Sequence, residues 1–243
     1  MIEISNEDAL VWLSSIPDES IDYINVDPPY FIGFDGGKGW DSTFTSEGEY
    51  LEWCRLWTEE LTRILKPGRL LSVWGTLKTD TFLKYKLDVL NPTGLVPQTE
   101  IIWSYNWGGR TKKNFARKHE YVWNYSKGSE FLFNADDVRV ERKMSTNPRT
   151  GQKFTKGTIP TAVWEKNNHT GSNDFVNWHP TTKNIDLLER MIKAYSNPGD
   201  IVLDCFSGSG SLAVAAKRTG RKFIGCELDP EYYEKSLERL ELS

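Results

Sequence analysis

The sequence predicts an α/β fold: a mostly parallel, doubly wound sheet of about seven strands, with helices on both faces and one small irregular insertion. Three observations predict it. Short apolar runs alternate along most of the 243 residues with stretches whose apolar positions recur at helical spacing. Two of those runs end in an aspartate followed at once by a turn. Ile24-Asn25-Val26-Asp27 leads into Pro28-Pro29-Tyr30, and Ile201-Val202-Leu203-Asp204 leads through Cys205 into Phe206-Ser207-Gly208-Ser209-Gly210. A later run, Lys222 to Gly225, ends at Glu227, about 20 positions beyond the glycines.

In chain order, Ile2-Glu3-Ile4 reads as a short strand, and Asp8 to Leu13 as a helix. Asp8 stands where the strand gives way to the helix, a position for a helix cap or for a ligand contact at the sheet edge. Pro17-Asp18-Glu19-Ser20 is a turn, and Ile21 to Val26 is the second strand. Phe31 to Phe44 holds four glycines (Gly33, Gly36, Gly37, Gly39) and the aromatics Phe34, Trp40 and Phe44. It reads as a lid or substrate loop, or as an ordinary surface loop. Glu49 to Leu65 is an amphipathic helix stopped by Lys66-Pro67-Gly68. Leu70 to Trp74 is a buried strand, Thr79 to Leu90 a helix ended by Asn91-Pro92, and Thr99 to Trp103 and Tyr121 to Tyr125 are two further strands.

From about Phe131 to Phe175 periodicity fades, and residues 131–175 read as a recognition insertion. Trp164, Asn167, Asn168, His169, Asn173 and Trp178 are its candidate contacts, His169 more as a surface or packing residue than as a catalyst. Residues 1–130 and 176–243 are then two halves of one domain. Asp186 to Tyr195 is helical and ends at Asn197-Pro198-Gly199-Asp200, Ser211 to Thr219 is a small-residue helix, and Asp229-Pro230 opens the last helix.

A hydrophobic content of 38% suffices for one sizeable core. Cys54, Cys205 and Cys226 form no CxxC pair and have no histidine companions at ligand spacing, which predicts reduced thiols in a cytoplasmic protein and no metal site. No apolar run approaches the length of a transmembrane helix, and Met1-Ile2-Glu3-Ile4 lacks the regions of a signal peptide, so no membrane partner is expected. The net charge of −4 argues weakly against nucleic acid, but its distribution argues for it. Residues 110–156 hold 12 Lys and Arg against 5 Asp and Glu, and the remainder holds 18 against 29. An acidic body with a basic middle suits a locally bound polyanion, and a solvated loop is the alternative. The candidate nucleic-acid contacts are Arg110, Lys112, Lys113, Arg117, Lys118, Arg139, Arg142, Lys143, Arg149 and Lys153.

Strand, glycine turn, helix, strand and acid form a mononucleotide-binding unit. Glycines let the backbone approach a ligand, and the acid binds ribose hydroxyls. Gly208, Gly210 and Glu227 fill those places without a Walker lysine or a full GxGxxG, which disfavours ATP hydrolysis and makes a dinucleotide less attractive. Asp27-Pro28-Pro29-Tyr30 taken alone is as consistent with a turn and a packing ring as with a site.

Taken together, these stretches resemble the S-adenosylmethionine-dependent amino-methyltransferases of DNA. Asp27-Pro28-Pro29-Tyr30 resembles their catalytic tetrapeptide, and Asp204-Cys205-Phe206-Ser207-Gly208-Ser209-Gly210 their cofactor loop. The catalytic motif comes first, the circularly permuted order of the beta class on a Rossmann-like sheet. His179-Pro180-Thr181-Thr182-Lys183, Leu65-Lys66-Pro67-Gly68 and Lys118-His119-Glu120-Tyr121 are similar to further segments of the family. Members usually carry proline at the position of Cys205, often threonine at Ser211, often Lys-Pro at Lys183-Asn184, and a second glycine where Arg69 stands.

The resemblance implies that residues 1–130 are the catalytic half, with Asp27, Pro28, Pro29 and Tyr30 as catalytic residues. Residues 176–243 are then the cofactor-binding half. S-adenosyl-L-methionine is the implied cofactor, met by Asp8, Asp27, Thr181, Lys183, Asp204, Phe206, Ser207, Gly208, Ser209, Gly210 and Glu227. Lys183 is also placed to cap the local fold. The implied reaction is methylation of adenine N6 on a base flipped out of double-stranded DNA, because aspartate at the first catalytic position favours adenine. Cytosine N4, RNA adenine and a non-catalytic nucleic-acid-binding subunit are the alternatives. A restriction-modification setting and a homodimer are further options that the family carries and the residues do not read.

Overall fold

Nearly continuous apolar strands flanked by one-sided helices are stable only when both sheet faces are covered. The computed structural model describes every residue except 35, 36, 42, 107–110, 143 and 167–173. Among the described residues the strands are β1 (Ile2–Asn6), β2 (Ile21–Val26), β3 (Leu65–Gly75), β4 (Val96–Pro97), β5 (Ile101–Ser104), β6 (His119–Ser126), β7 (Val163–Glu165), β8 (Ile201–Asp204) and β9 (Lys222–Glu227). They form one sheet in the order β1-β9-β8-β2-β3-β6-β5-β7, with β4 beside β6. The stretch from β1 to β3 is parallel, whereas β6 runs antiparallel to both β3 and β5. The seven strands of four or more residues are those expected, and β4 and β7 extend the sheet by two and three residues. β7 lies within 131–175, so the irregular segment contributes a strand beside β5.

The helices are α1 (Ala9–Ser14), α2 (Glu47–Ile64), α3 (Asp80–Lys84), α4 (Ile185–Tyr195), α5 (Ser211–Arg218) and α6 (Pro230–Glu241). One core packs α1, α2 and α3 against Ile24 and Val26 of β2, and the other packs α4, α5 and α6 against Tyr23 of the same strand. Successive side chains of β2 thus enter opposite cores, the signature of a doubly wound sheet.

Helix starts follow their caps. Ser46 caps α2 by accepting from Glu49 N–H at 3.2 Å, and Glu49 reaches back to accept from Thr45 N–H at 2.8 Å, a reciprocal pair that starts α2 ahead of the expected Glu49. Thr79 to Leu90 is not one helix: α3 widens at Tyr85–Leu90 into a π-helical turn that buries both Tyr85 and Leu90. Two departures from the family pattern have local partners. Arg69 reaches Asp22 at 3.1 Å and Asp200 at 2.9 Å, tying β3 to the start of β2 and to the residue before β8. Asn184 caps α4 by accepting from Leu187 N–H at 3.3 Å.

Candidate active site

Parallel strands end together, so their acidic terminal residues meet at one edge. β2 pairs with β8 through Tyr23–Val202 and Ile24–Leu203, so both strands end at one edge with Asp27 close enough for its charge to act on Asp204, and β9 adds Glu227 on the far side of β8. A cavity of about 830 Å³ opens over this edge, within the range of small-molecule sites. All four residues of Asp27-Pro28-Pro29-Tyr30 line it, as do Asp8, Thr181, Lys183, Asp204, Phe206, Ser207, Gly208, Ser209 and Glu227. Gly210 stands behind the wall, in left-handed conformation at the start of α5.

Asp27 is the centre of one side of the cavity. Its Oδ1 accepts from the Tyr30 hydroxyl, and its Oδ2 lies 2.6 Å from Lys183 Nζ. Burial raises the Tyr30 phenol well above its ordinary value, and the Asp27 and Glu120 carboxylates add to that, so the hydroxyl is a donor throughout the working range. The tetrapeptide is held from outside by Tyr50, whose hydroxyl donates to Pro29 O at 2.7 Å, and by the edge of Phe82 against the Tyr30 ring. The chain then turns at Phe31, at a φ of 54°, a left-handed conformation rare for a phenylalanine. Asp41, 1% exposed, holds this turn by accepting from Phe31 N–H at 2.6 Å and Ile32 N–H at 2.7 Å. The described part of the glycine-rich loop lines the cavity through Ile32, Phe34 and Trp40. Lys38 carries the loop across to Asp229 at 3.4 Å, with its ammonium over the Tyr232 ring.

Glu120 was legible only as part of a resembling segment. Because β6 runs antiparallel to β3, its start lies at the same edge as the end of β3, with Tyr121 opposite Gly75. Glu120 Oε2 is 3.2 Å from Lys183 Nζ and has no other hydrogen-bond partner among the described residues. Lys183 is therefore a buried cation between two carboxylates, flanked by the rings of Tyr30 and Trp74. Burial pushes its pKa down, but Asp27 and Glu120 outweigh burial and hold it above the ordinary lysine value.

The other side is built around the glycine turn. Glu227 accepts from Gly208 N–H at 2.7 Å through one oxygen and from Asp229 N–H at 2.9 Å through the other. Burial raises its pKa, opposed by those N–H groups. Gly208 is left-handed at φ 48°, and a Cβ there would meet His179 Nε2 at 2.8 Å. His179 is kept neutral: burial, with Lys183 and Arg239 nearby, pushes it down to about 4. Arg239 holds the turn from behind through Ser209 O at 2.8 Å. Asp204 accepts from Phe206 N–H at 2.9 Å, while burial pushes it up to about 8, with Asp27 and Glu227 adding to the shift against that N–H. Asp8 caps α1, accepting from Leu10 N–H at 2.9 Å, so it fills the capping role and lines the cavity as well.

The cavity lining has eight carboxylates and three lysines, which favours a cationic or amine-bearing ligand over a phosphorylated one. Together with the Gly208 cradle and the carboxylate of Glu227, these residues fit a cationic nucleoside such as a sulfonium donor. The basic candidates lie elsewhere. Lys112, Lys113 and Arg117 are exposed on the connection between β5 and β6, and Lys118 donates to Asn106 O at 2.8 Å at its base. Arg139 bonds Asp136 and Gly157 O, and Arg142 bonds Lys156 O, within 131–175. Arg149 and Lys153 are exposed there. Arg110, Lys143, Asn167, Asn168, His169 and Asn173 lie outside the described residues. Trp164 donates to Thr161 O at 2.7 Å, and Trp178 packs near His179 and Tyr232.

A family model described as DNA methylase matches residues 21–238. The chain belongs to the N6/N4 DNA methylase family. The methylase is 34% identical to the type II methyltransferase M.HpaI of Haemophilus parainfluenzae, over 96% of this chain and 72% of that protein. It is also 34% identical to the DNA adenine methyltransferase YhdJ of Escherichia coli (strain K12), over 99% and 83%. Among solved structures, the cytosine-N4-specific PvuII DNA methyltransferase aligns with a TM-score of 0.73 at 21% identity, covering 98% of this chain and 87% of that one. The M1.HpyAVI–SAM complex aligns with a TM-score of 0.66 at 25% identity, covering 99% and 100%. The methylase is thus a DNA methyltransferase with the α/β sheet of its relatives. No helix among its described residues is long and apolar enough to cross a membrane.

Proposed function

We propose that the protein methylates adenine N6 in double-stranded DNA, on a base turned out of the duplex into the cavity. The observation that carries this reading is the place of Asp27 in the cavity lining, beside Pro28 and one strand away from the glycine turn that follows β8. S-adenosyl-L-methionine is the cofactor, and it supplies a methyl group made electrophilic by the sulfonium charge. The chain's own residues do the rest. Glu227 takes the ribose hydroxyls, and the turn at Phe206 to Gly210 lies along the donor. Asp8 takes the donor's adenine amine, and Thr181 lies toward its methionine end.

An exocyclic amine is a poor nucleophile because its lone pair is delocalised into the ring. The Asp27 carboxylate and the Pro28 carbonyl accept hydrogen bonds from the NH₂ group. Those bonds strengthen as the nitrogen becomes tetrahedral and positive, which is preferential stabilisation of the transition state. Tyr30, fixed by Asp27 and Phe82, offers its ring to the extruded base. Aspartate at the first catalytic position and the likeness to an adenine methyltransferase over nearly the whole chain support adenine. The likeness to type II methyltransferases supports a role in a restriction-modification system.

Incubation with labelled donor and plasmid DNA, followed by digestion to nucleosides, is expected to put the label in N6-methyldeoxyadenosine. Label in 4-methyldeoxycytidine would replace adenine by cytosine N4, and label confined to RNA would overturn the DNA reading. We also assign target recognition to 131–175 together with the basic connection between β5 and β6. Neutralising Lys112, Lys113 and Arg117 should weaken DNA binding and reduce the slope of log affinity against log salt by about 0.9 for each phosphate no longer neutralised. An unchanged slope would make that stretch a solvated face.

A further inference from the structure

We propose that Phe115 is a wedge that enters the base stack of duplex DNA where the target nucleotide is turned into the cavity. The inference rests on the duplex-DNA reading above. β5 and β6 run antiparallel with Ser104 opposite His119, and Tyr105 N–H extends the ladder to Lys118 O at 3.0 Å. Tyr105 and Glu120, at the ends of that ladder, both line the cavity. Residues 111–118 therefore lead into β6 at the rim of the cavity. There Lys118 Nζ donates to Asn106 O at 2.8 Å. Phe115 precedes Lys118 by three residues, within about 11 Å of the rim along the chain.

Phe115 is 97% exposed, against 54% for Phe34 and 41% for Phe133. Its own N–H is taken by the Asn114 side chain at 2.7 Å, so the local backbone is turned by its neighbour while the ring projects into solvent. Lys112, Lys113 and Arg117 stand exposed around it in sequence. A ring set among cations matches a partner that is anionic outside and a stack of flat rings inside, which is duplex nucleic acid. Extruding one base leaves a gap in that stack, and a phenyl ring placed in the gap offsets the loss of stacking. The cations hold the backbone in register while the ring occupies the gap.

The test first locates the methylated site by sequencing plasmid DNA treated with the wild-type protein. A synthetic duplex carrying that site is then used with the target base either paired or opposite an abasic position. Phe115→Ala is expected to slow methylation of the paired duplex by about tenfold or more, and to come within about threefold of wild type on the abasic duplex, where the base is already unpaired. Phe115→Leu keeps an apolar wedge and should stay close to wild type on both. An Ala variant as fast as wild type on the paired duplex, or equally slow on both, would overturn the wedge. Plasmid DNA left unlabelled by the wild-type protein would overturn the DNA reading itself, and the wedge with it.

Discussion

Asp27→Ala is expected to lower turnover by about 10²–10³-fold, the usual cost of removing one group aimed at charge that develops in the transition state. The residue is well placed for so large an effect. Its carboxylate is held from two sides, by the Tyr30 hydroxyl and by Lys183 at 2.6 Å, so its orientation is set before the substrate arrives. The fold should survive, because Lys183 keeps Glu120 as a partner at 3.2 Å. Turnover on plasmid DNA and calorimetric titration with S-adenosylmethionine separate the two ways activity can fall. Lost turnover with retained donor affinity supports the assigned role. Wild-type turnover would remove Asp27 from the chemistry, and lost donor affinity would move it to the cofactor side. Asp27→Asn distinguishes charge from shape: it keeps the outline, and should recover little.

Lys183→Met should be the most costly change to stability at the site. Removing one partner from a buried ionic cluster costs about 3–5 kcal/mol, since the remaining charges stay buried without compensation. Lys183 is held above its ordinary pKa, because Asp27 and Glu120 outweigh burial. Its contribution is therefore fully present below the unfolded lysine value of about 10.4 and is lost only as pH rises through the higher folded value. A melting experiment near neutral pH reads the whole loss. The same substitution leaves Asp27 and Glu120 facing each other without a cation. Lys183→Arg, which keeps the charge, should retain more of the stability than Lys183→Met even if packing suffers. A Met variant that melts with the wild type would reduce Lys183 to a packing residue.

The parts of this site that are legible in the sequence are the ones carried by contiguous residues. Asp27-Pro28-Pro29-Tyr30 and Asp204 to Gly210 each end a strand at a turn, and the neighbouring of β2 and β8 follows from the parallel architecture that these turns imply. Glu120 is hidden because it reaches the edge through an antiparallel pairing of β6 with β3, and register between distant strands leaves no local mark. Lys183 is visible, but its partners are not: its cluster joins the residue after β2, a residue of β6 and the segment before α4. Asp41 escapes notice for the same reason, since a lone aspartate in a glycine-rich loop does not announce that it binds the turn after Tyr30. β4 and β7 are too short for their alternation to be distinguished from loop. The widening of α3 at Tyr85 is likewise a response to tertiary packing, invisible in propensity.

The direct pairing of β2 with β8 has a consequence for how the reaction tolerates motion. Neighbouring strands lie about 4.8 Å apart and are stitched by main-chain hydrogen bonds. The segments that carry Asp27 and the Gly208 turn thus leave adjacent strands, and the gap between them is set by the sheet rather than by the loops. Loops can open to admit a bulky polymer and close again without resetting that gap. Nor does the gap depend on which strand the ribosome makes first, so a catalytic half that precedes the cofactor half and one that follows it arrive at the same reaction geometry.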